Sequence, residues 1–144
     1  MSSSVEIHAQ PPRVWDVLTN LARWPRWSRV CTEVWSIPEH DLGEVGTKFG
    51  FKLRMGGRQI PFNVTVSRIE TGGLIEWRST KFSITAIRSI SIESSGKSCR
   101  VIDSKLFTSP FIPIGLSYPR WLIRRMTDSW LDDLKIESER DSLS

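Results

Sequence analysis

The sequence is poor in the residue types that build disulfide scaffolds and metal centres. It has two cysteines, Cys31 and Cys99, and two histidines, His8 and His40, among 144 residues. Two cysteines do not make the disulfide framework of a small secreted protein, so we expect reduced thiols in the core. The histidines lie far apart, with no cysteine or carboxylate cluster at ligand spacing, so we predict surface histidines and no metal site.

Leader, membrane and phosphate-binding patterns are absent as well. The start, MSSSVEIHAQ, has neither the basic nor the apolar region of a secretory signal, and no apolar run approaches the roughly 20 residues of a membrane span. No glycine-rich phosphate loop, Gly-x-Ser-x-Gly motif or nucleic-acid-binding motif occurs. The net charge of +4 is dispersed along the chain. We expect a cytoplasmic protein, a monomer or dimer, without cofactor or nucleic-acid partner.

Tryptophan, in contrast, is abundant, with seven residues in the chain. Pro11 and Pro12 suit the first turn of a helix, and Pro25 forces a new direction, so residues 22–28 are predicted to form a second short helix. Three tryptophans lie on or between these helices, at Trp15, Trp24 and Trp27. We favour a packing role for all three over the alternative that Trp27 borders a ligand cavity.

The middle of the chain alternates apolar and polar residues, as antiparallel strands with one wet face do. A two-residue turn at Gly56-Gly57 pairs apolar residues across the first hairpin: Leu53 with Ile60, Phe51 with Phe62, and Phe49 with Val64. A turn at Thr80-Lys81 is predicted to set Trp77 opposite Ile84 and Ile75 opposite Ala86.

One long helix is predicted at the end of the chain, over residues 117–139. Apolar residues recur there at every fourth position and predict a buried stripe: Leu122, Met126, Trp130 and Leu134. The order of strand, two short helices, antiparallel strands and long helix is α+β. We predict a single domain, residues 1–144, in which a curved antiparallel β-sheet wraps around the C-terminal helix.

A group of charges falls on the apolar face of the predicted sheet. Arg88 interrupts an alternating apolar run, and a turn over residues 94–97 would place it opposite Asp103, with Ala86 opposite Lys105. In one interpretation Arg88 and Asp103 form a satisfied cross-strand pair and Lys105 extends to the cavity rim. In the other, the three orient the polar end of a ligand. Arg88 or Lys105 would then stabilise an enolate or carboxylate, and Asp103 would move a proton if burial raised its pKa.

The first turns of the terminal helix are basic, with Arg120, Arg124 and Arg125. A solvated face is the simpler interpretation. The alternative is a basic rim that recruits an anionic ligand, a membrane surface or an acidic partner protein, with membrane contact the less favoured of these.

Three stretches carry a family resemblance: HAQPPRVWDVLTNLARWPRWS near the amino terminus, VGTKF at residues 45–49, and LIEWRS at residues 74–79. With the predicted element order, they resemble the START-like or SRPBCC superfamily (Bet v 1-like, polyketide cyclase/dehydrase-type), whose fold is the helix-grip fold. The resemblance covers nearly the whole chain. It implies a cavity for lipids, sterols, polyketides or other hydrophobic ligands, and some members are aromatase/cyclases, some carriers, and some assist other proteins.

The resemblance and the pattern together predict a pocket of roughly 300–1,000 Å³. Arg88, Asp103 and Lys105 are its candidate catalytic or anchoring residues, and Tyr118 either donates a hydrogen bond to the ligand or caps the packing. The other predicted lining residues are Phe49, Phe51, Leu53, Phe62, Ile75, Trp77, Ile84, Ile90, Leu122 and Met126. The expected function is binding of a polyketide-, terpenoid- or lipid-like molecule, with cofactor-free cyclisation, isomerisation or dehydration as its enzymatic version. A non-catalytic carrier and a chaperone-like module using the outer surface are the alternatives.

Overall fold

The computed structural model of the chain describes residues 1–35, 44–81, 84–108 and 119–140. These residues contain seven strands: β1 (Ser2–Ile7), β2 (Cys31–Trp35), β3 (Lys48–Met55), β4 (Arg58–Glu70), β5 (Leu74–Lys81), β6 (Ile84–Ser95) and β7 (Ser98–Thr108). They also contain a short helix α1 (Pro11–Thr19), a 3₁₀ turn (Leu21–Arg23), a single helical turn α2 (Trp24–Trp27) and the long helix α3 (Arg120–Arg140).

All seven strands join one antiparallel sheet in the order β1-β7-β6-β5-β4-β3-β2. Its apolar face curls around α3, which contacts β1, α1 and α2. The core lies between this face and the buried side of α3, where Trp130, Leu131 and Leu134 are almost fully buried. The α+β helix-grip prediction is therefore confirmed.

The two short helices close one end of the sheet. Pro11 and Pro12 occupy the first turn of α1, as predicted, and the helix buries Val14, Trp15, Val17 and Leu18. The Nε1 of Trp24 donates to the carbonyl oxygen of Leu18 at 3.0 Å, which ties α2 to the end of α1. On the far side of α2, the backbone N–H and the Nε of Arg29 donate to the buried carboxylate of Asp133 in α3. These contacts hold the two short helices against α3.

The first hairpin has the predicted register. Leu53 pairs with Ile60, Phe51 with Phe62, and Phe49 with Val64. Gly56 has a φ of +63°, which a residue with a Cβ rarely adopts, so glycine suits this two-residue turn.

The other two hairpins with a predicted register, β5–β6 and β6–β7, differ from the prediction. The turn at Thr80-Lys81 is wrong, because Lys81 pairs with Ile84, which sets Trp77 opposite Arg88 and Ile75 opposite Ile90.

In the last hairpin, Ser95 pairs with Ser98 around Gly96-Lys97, so the four-residue turn over 94–97 is also wrong. Arg88 therefore faces Lys105 rather than Asp103, and Asp103 faces Ile90. Both errors are even shifts. Since side chains alternate between faces with a period of two, an even shift leaves every residue on its predicted face.

The buried side of α3 is rotated relative to the predicted stripe. Trp130 and Leu134 are buried as predicted, but Leu122 and Met126 are only partly buried. Ile123 and Thr127 lie on the buried side instead. Among the described residues, no helix is both long enough and apolar enough to cross a membrane.

The cysteines and His8 lie where the sequence predicts. Cys31 and Cys99 are buried free thiols, and burial raises the pKa of Cys31 to about 11. His8 is exposed, while His40 lies outside the described residues. The described part of the chain holds no group of histidine, cysteine and carboxylate side chains that could bind a metal ion.

Candidate ligand-binding site

A pocket lies between the inner face of the sheet and α3. Apolar side chains form most of its wall, and three cationic residues reach it: Lys81, Arg88 and Lys105. Its cavity volume is about 100 Å³, well below the size expected from the sequence. The reason is the aromatic cluster, since large rings fill the adjoining space between sheet and helix: Trp24, Phe49, Phe51, Trp77 and Trp130.

Six residues predicted to line a cavity lie on the pocket wall: Phe51, Leu53, Phe62, Trp77, Ile84 and Met126. Four others lie elsewhere. Phe49, Ile75 and Ile90 are fully buried in the core beside the pocket, and Leu122 packs against a smaller apolar cluster at its edge. Tyr118 lies outside the described residues. Whether any of the six contacts a ligand remains a prediction.

Sequence reasoning identified Met126 of α3 as a lining residue but missed three others of that helix. Ile123, Thr127 and Trp130 line the pocket from the helix, while Met55, Ala86 and Phe107 are among those that line it from the sheet. The three sheet residues lie on the predicted apolar face and could have been found from alternation alone. Trp130 lies on the predicted buried stripe, but Ile123 and Thr127 could not have been found, because their position depends on how the helix is rotated.

The three predicted charged residues do come together. Arg88 donates to the Asp103 carboxylate through Nε, at 3.0 Å from Oδ2, and through Nη2, at 2.5 Å from the same oxygen. Lys105 Nζ donates to Asp103 Oδ1 at 3.1 Å. The side chain of Asp103 is 0% exposed, against 11% for Arg88 and 16% for Lys105. Asp103 therefore lies behind the two cations, which are the members that reach the pocket.

The register explains why the carboxylate is needed. Arg88 and Lys105 are directly opposite each other on β6 and β7. Like charges in that position repel, and Asp103, two residues before Lys105, places its two oxygens between them. The cross-strand pair of Arg88 and Asp103 thus exists as one interpretation predicted, although as a diagonal pair.

Lys105 does not extend to the rim as that interpretation supposed. Its Nζ also donates to the hydroxyl oxygen of Thr127 on α3, at 2.5 Å, and that hydroxyl in turn donates to the Ile123 carbonyl. The lysine therefore links the sheet to the helix across one side of the pocket.

Two tryptophans hold the arginine. The guanidinium carbon of Arg88 lies 5.0 Å from the ring centre of Trp130 and 5.4 Å from that of Trp77. A cation over the face of an indole ring is attracted to its electron density, more strongly where water is excluded. The side chain of Arg88 is thus positioned by a carboxylate on one side and by aromatic rings on the others.

The cluster perturbs the pKa values of two of its members. Burial alone would raise the pKa of Asp103, but the adjacent Arg88 and Lys105 outweigh it and hold that pKa below its usual value. Burial, reinforced by Arg88, lowers the pKa of Lys105 to about 8, against the opposing effect of Asp103. The condition under which Asp103 was predicted to move a proton, a raised pKa, is therefore not met. Of these two residues, Lys105 is the one whose pKa lies near neutral pH.

A family model described as "Polyketide cyclase / dehydrase and lipid transport" matches residues 1–138. The chain belongs to this family. No curated protein matches the sequence significantly.

Solved structures of other proteins share this fold. The Zhui aromatase/cyclase from Streptomyces sp. R1128 is 12% identical, with a TM-score of 0.80 over 97% of this chain and 93% of its own. A START superfamily protein from Mycobacterium smegmatis is 14% identical, with a TM-score of 0.74 and 97% of each chain covered. The major latex-like protein 151 from Panax ginseng is 11% identical, with a TM-score of 0.78 over 96% of this chain and 95% of its own. At such identities the likeness concerns the fold.

The tryptophans of the two short helices pack in the core of this family member. Trp24 is almost fully buried and contacts the rings of Phe49, Phe51, Trp77 and Trp130. Trp27 packs on Trp130 with ring centres 4.7 Å apart. Neither residue, nor Trp15, is part of the pocket wall, which agrees with the packing interpretation.

The basic start of α3 is separate from the pocket. Arg120, Arg124 and Arg125 are exposed, and none of them is part of the pocket wall. A ligand inside the pocket would therefore meet Arg88 and Lys105 rather than these arginines.

Proposed function

We propose that the protein binds a hydrophobic small molecule, polyketide-, terpenoid- or lipid-like, with its apolar body in the pocket and its polar end at Arg88 and Lys105. The observation that carries this proposal is the composition of the wall, which is apolar apart from a few polar groups that include two fixed cations. Ligand pockets combine these features, because apolar area supplies affinity and a few polar groups orient the ligand.

The energetic cost of the charged cluster supports a role beyond packing. Taking three charges out of water costs several kcal/mol per ion before their mutual attraction is counted. Well-packed apolar residues of similar volume are often equally stable or more stable. A fold that needed only stability would gain little from Arg88, Asp103 and Lys105 at these positions, whereas a pocket that orients a ligand needs such groups.

Native mass spectrometry of the purified protein, after incubation with extracted metabolites, tests the proposal when combined with a variant that fills the pocket. Ala86 lies on the wall beside Arg88, so Ala86→Phe is expected to displace the ligand by occupying its space. We expect a bound hydrophobic compound with the unaltered protein and at least a tenfold smaller bound fraction with Ala86→Phe.

The matched control is Thr85→Phe, one residue away. Thr85 faces the outer side of the sheet, where its hydroxyl hydrogen-bonds with that of Thr80 at 3.3 Å. This variant should retain the ligand. Equal retention by Ala86→Phe, in protein whose circular dichroism shows it folded, would contradict binding in this pocket and would favour an outer-surface function.

A second candidate, catalysis without a cofactor, is favoured by the pKa of Lys105, which is lowered to about 8. A cationic amine of this acidity could transfer protons during cyclisation, isomerisation or dehydration. Arg88 would stabilise an enolate as it forms, while Asp103 would hold both cations in place.

Lys105→Arg separates catalyst from carrier. Arginine keeps the positive charge but does not release its proton near neutral pH. If Lys105 transfers protons, conversion of saturating ligand should fall about a hundredfold while binding persists. The measurement is mass analysis of the released compound. A carrier would release the compound intact from both proteins, and undiminished conversion by Lys105→Arg would assign the proton transfer to another group.

A further inference from the structure

We propose that the ligand of this pocket is an anion, a hydrophobic molecule that ends in a carboxylate or another oxyanion held by Arg88 and Lys105. This inference rests on the proposed function and names the class of molecule that the pocket accepts.

The first argument is the charge balance of the cluster. Arg88 and Lys105 carry two positive charges and Asp103 one negative charge, and all three side chains are at least four-fifths buried. A net positive charge is therefore held in an apolar wall with little access to water. Because an uncompensated buried charge is costly, an anionic ligand is stabilised there and a cationic ligand is repelled.

The second argument is the number of hydrogen-bond donors that remain. An arginine side chain has five N–H groups and a lysine three. Arg88 uses Nε and Nη2 on Asp103, and Lys105 uses one N–H on Asp103 and one on Thr127. Within the described residues, Arg88 Nη1 and the third N–H of Lys105 have no protein acceptor. These donors match the two oxygens of a carboxylate.

The third argument is the composition of the rest of the wall. Lys81 adds another cation, and no aspartate or glutamate of the described residues lines the pocket. Trp130, also on the wall, has a buried Nε1–H without an acceptor among the described residues. Polar groups on this wall are therefore mostly donors, and a ligand rich in acceptors fits them.

Three isosteric compounds test the inference, because they share a naphthalene ring and differ in the charge of one substituent. These are 2-naphthoate (negative), 2-naphthamide (neutral) and 2-naphthamidine (positive), titrated by isothermal calorimetry at pH 7. We expect 2-naphthoate to bind roughly tenfold or more tightly than 2-naphthamide, as hydrogen bonds between charged groups do in buried sites. 2-Naphthamidine should bind most weakly.

The charge of Lys105 is tested by substitution and by pH. Lys105→Met should remove most of the preference for 2-naphthoate over 2-naphthamide, while Lys52→Met, which removes a charge paired with Glu33 on the outer face, should leave it unchanged. With the unaltered protein, affinity for 2-naphthoate should fall as pH rises above about 8, where Lys105 loses its proton.

Three charged groups act on this titration: Arg88 on β6, Asp103 on β7 and Asp128 on α3. The amino group of Met1, which precedes β1, lies nearby and donates to the Lys105 backbone carbonyl. Persistence of the fall in Lys105→Met would show that Lys105 is not the group whose charge the ligand senses.

The outcomes separate this inference from the function on which it rests. Equal affinities for 2-naphthoate and 2-naphthamide would overturn the inference while supporting a hydrophobic pocket, and tighter binding of 2-naphthamidine would do the same. A preference for 2-naphthoate that persists in Lys105→Met and Arg88→Met would also overturn it. Binding of none of the three compounds would count against both proposals.

Discussion

Asp103→Ala is expected to lower the free energy of unfolding by about 3–5 kcal/mol, as breaking a buried ion pair from one side does. The carboxylate lies between two cations that face each other across β6 and β7. Without it, Arg88 and Lys105 would repel each other in an apolar wall and lose their shared acceptor. Urea unfolding at pH 7, followed by tryptophan fluorescence, measures the loss.

Two control variants show whether the loss of stability comes from the uncompensated cations. Asp128→Ala removes an exposed carboxylate from α3 and should change stability by no more than about 0.5 kcal/mol. The triple variant Arg88→Met, Asp103→Leu and Lys105→Met removes the whole cluster and should be near neutral, or more stable than the unaltered protein. A loss below about 1 kcal/mol for Asp103→Ala would show that water or a local rearrangement compensates the two cations.

Lowering the pH should weaken the same interaction of Asp103 with Arg88 and Lys105. The pKa of Asp103 is held below its usual value of 3.8, so the folded protein binds this proton less readily than the unfolded chain. The stability that Asp103 contributes is therefore complete above that value and is lost as pH falls below it.

The face of each strand residue could be predicted from sequence, while the register was predicted correctly for only one of three hairpins. Two of the three predicted hairpin registers are wrong, yet Arg88, Asp103 and Lys105 lie together on the inner face as expected. Alternation fixes the face of each residue, and only the turn geometry decides which residues are opposite. A cluster of long charged side chains tolerates a shift of two residues, because diagonal neighbours on one face still reach each other.

The rotation of α3 could not be predicted from residues at every fourth position. With 3.6 residues per turn, each step of four overshoots a full turn by about 40°, so three steps drift by about 120° around the helix. Leu122 and Leu134 therefore cannot both point at the sheet. The structure buries the later end, with Leu134 and Trp130 inside, and brings Ile123 and Thr127 inward near the start.

The directions of the pKa shifts of Asp103 and Lys105 could not be predicted from the sequence for a related reason. Whether burial or a neighbouring charge dominates a pKa depends on distances of a few ångströms. The alternation pattern shows that the three groups share a face. It does not show that Asp103 lies behind Arg88 and Lys105, which makes it a fixed anion and leaves the lysine as the titrating group.

The second large effect is expected for Trp130→Ala, which should lower the free energy of unfolding by about 3–5 kcal/mol. Trp130 is 2% exposed, and its ring packs against Trp24 and Trp27 with ring centres 4.9 Å and 4.7 Å away. It also lies against the guanidinium of Arg88. Removing the ring leaves a cavity between α2, the sheet and α3. It also leaves Arg88 without one of its two aromatic neighbours.

The same helix supplies the control, since Trp121 is 67% exposed. Trp121→Ala should change stability by about 0.5 kcal/mol or less, so two identical substitutions nine residues apart should differ by several kcal/mol in urea unfolding. Trp130→Phe should recover part of the loss and retain a ring beside Arg88. Similar losses for Trp121→Ala and Trp130→Ala would contradict the observed rotation of α3, and with it the placement of Thr127 and Ile123 on the pocket wall.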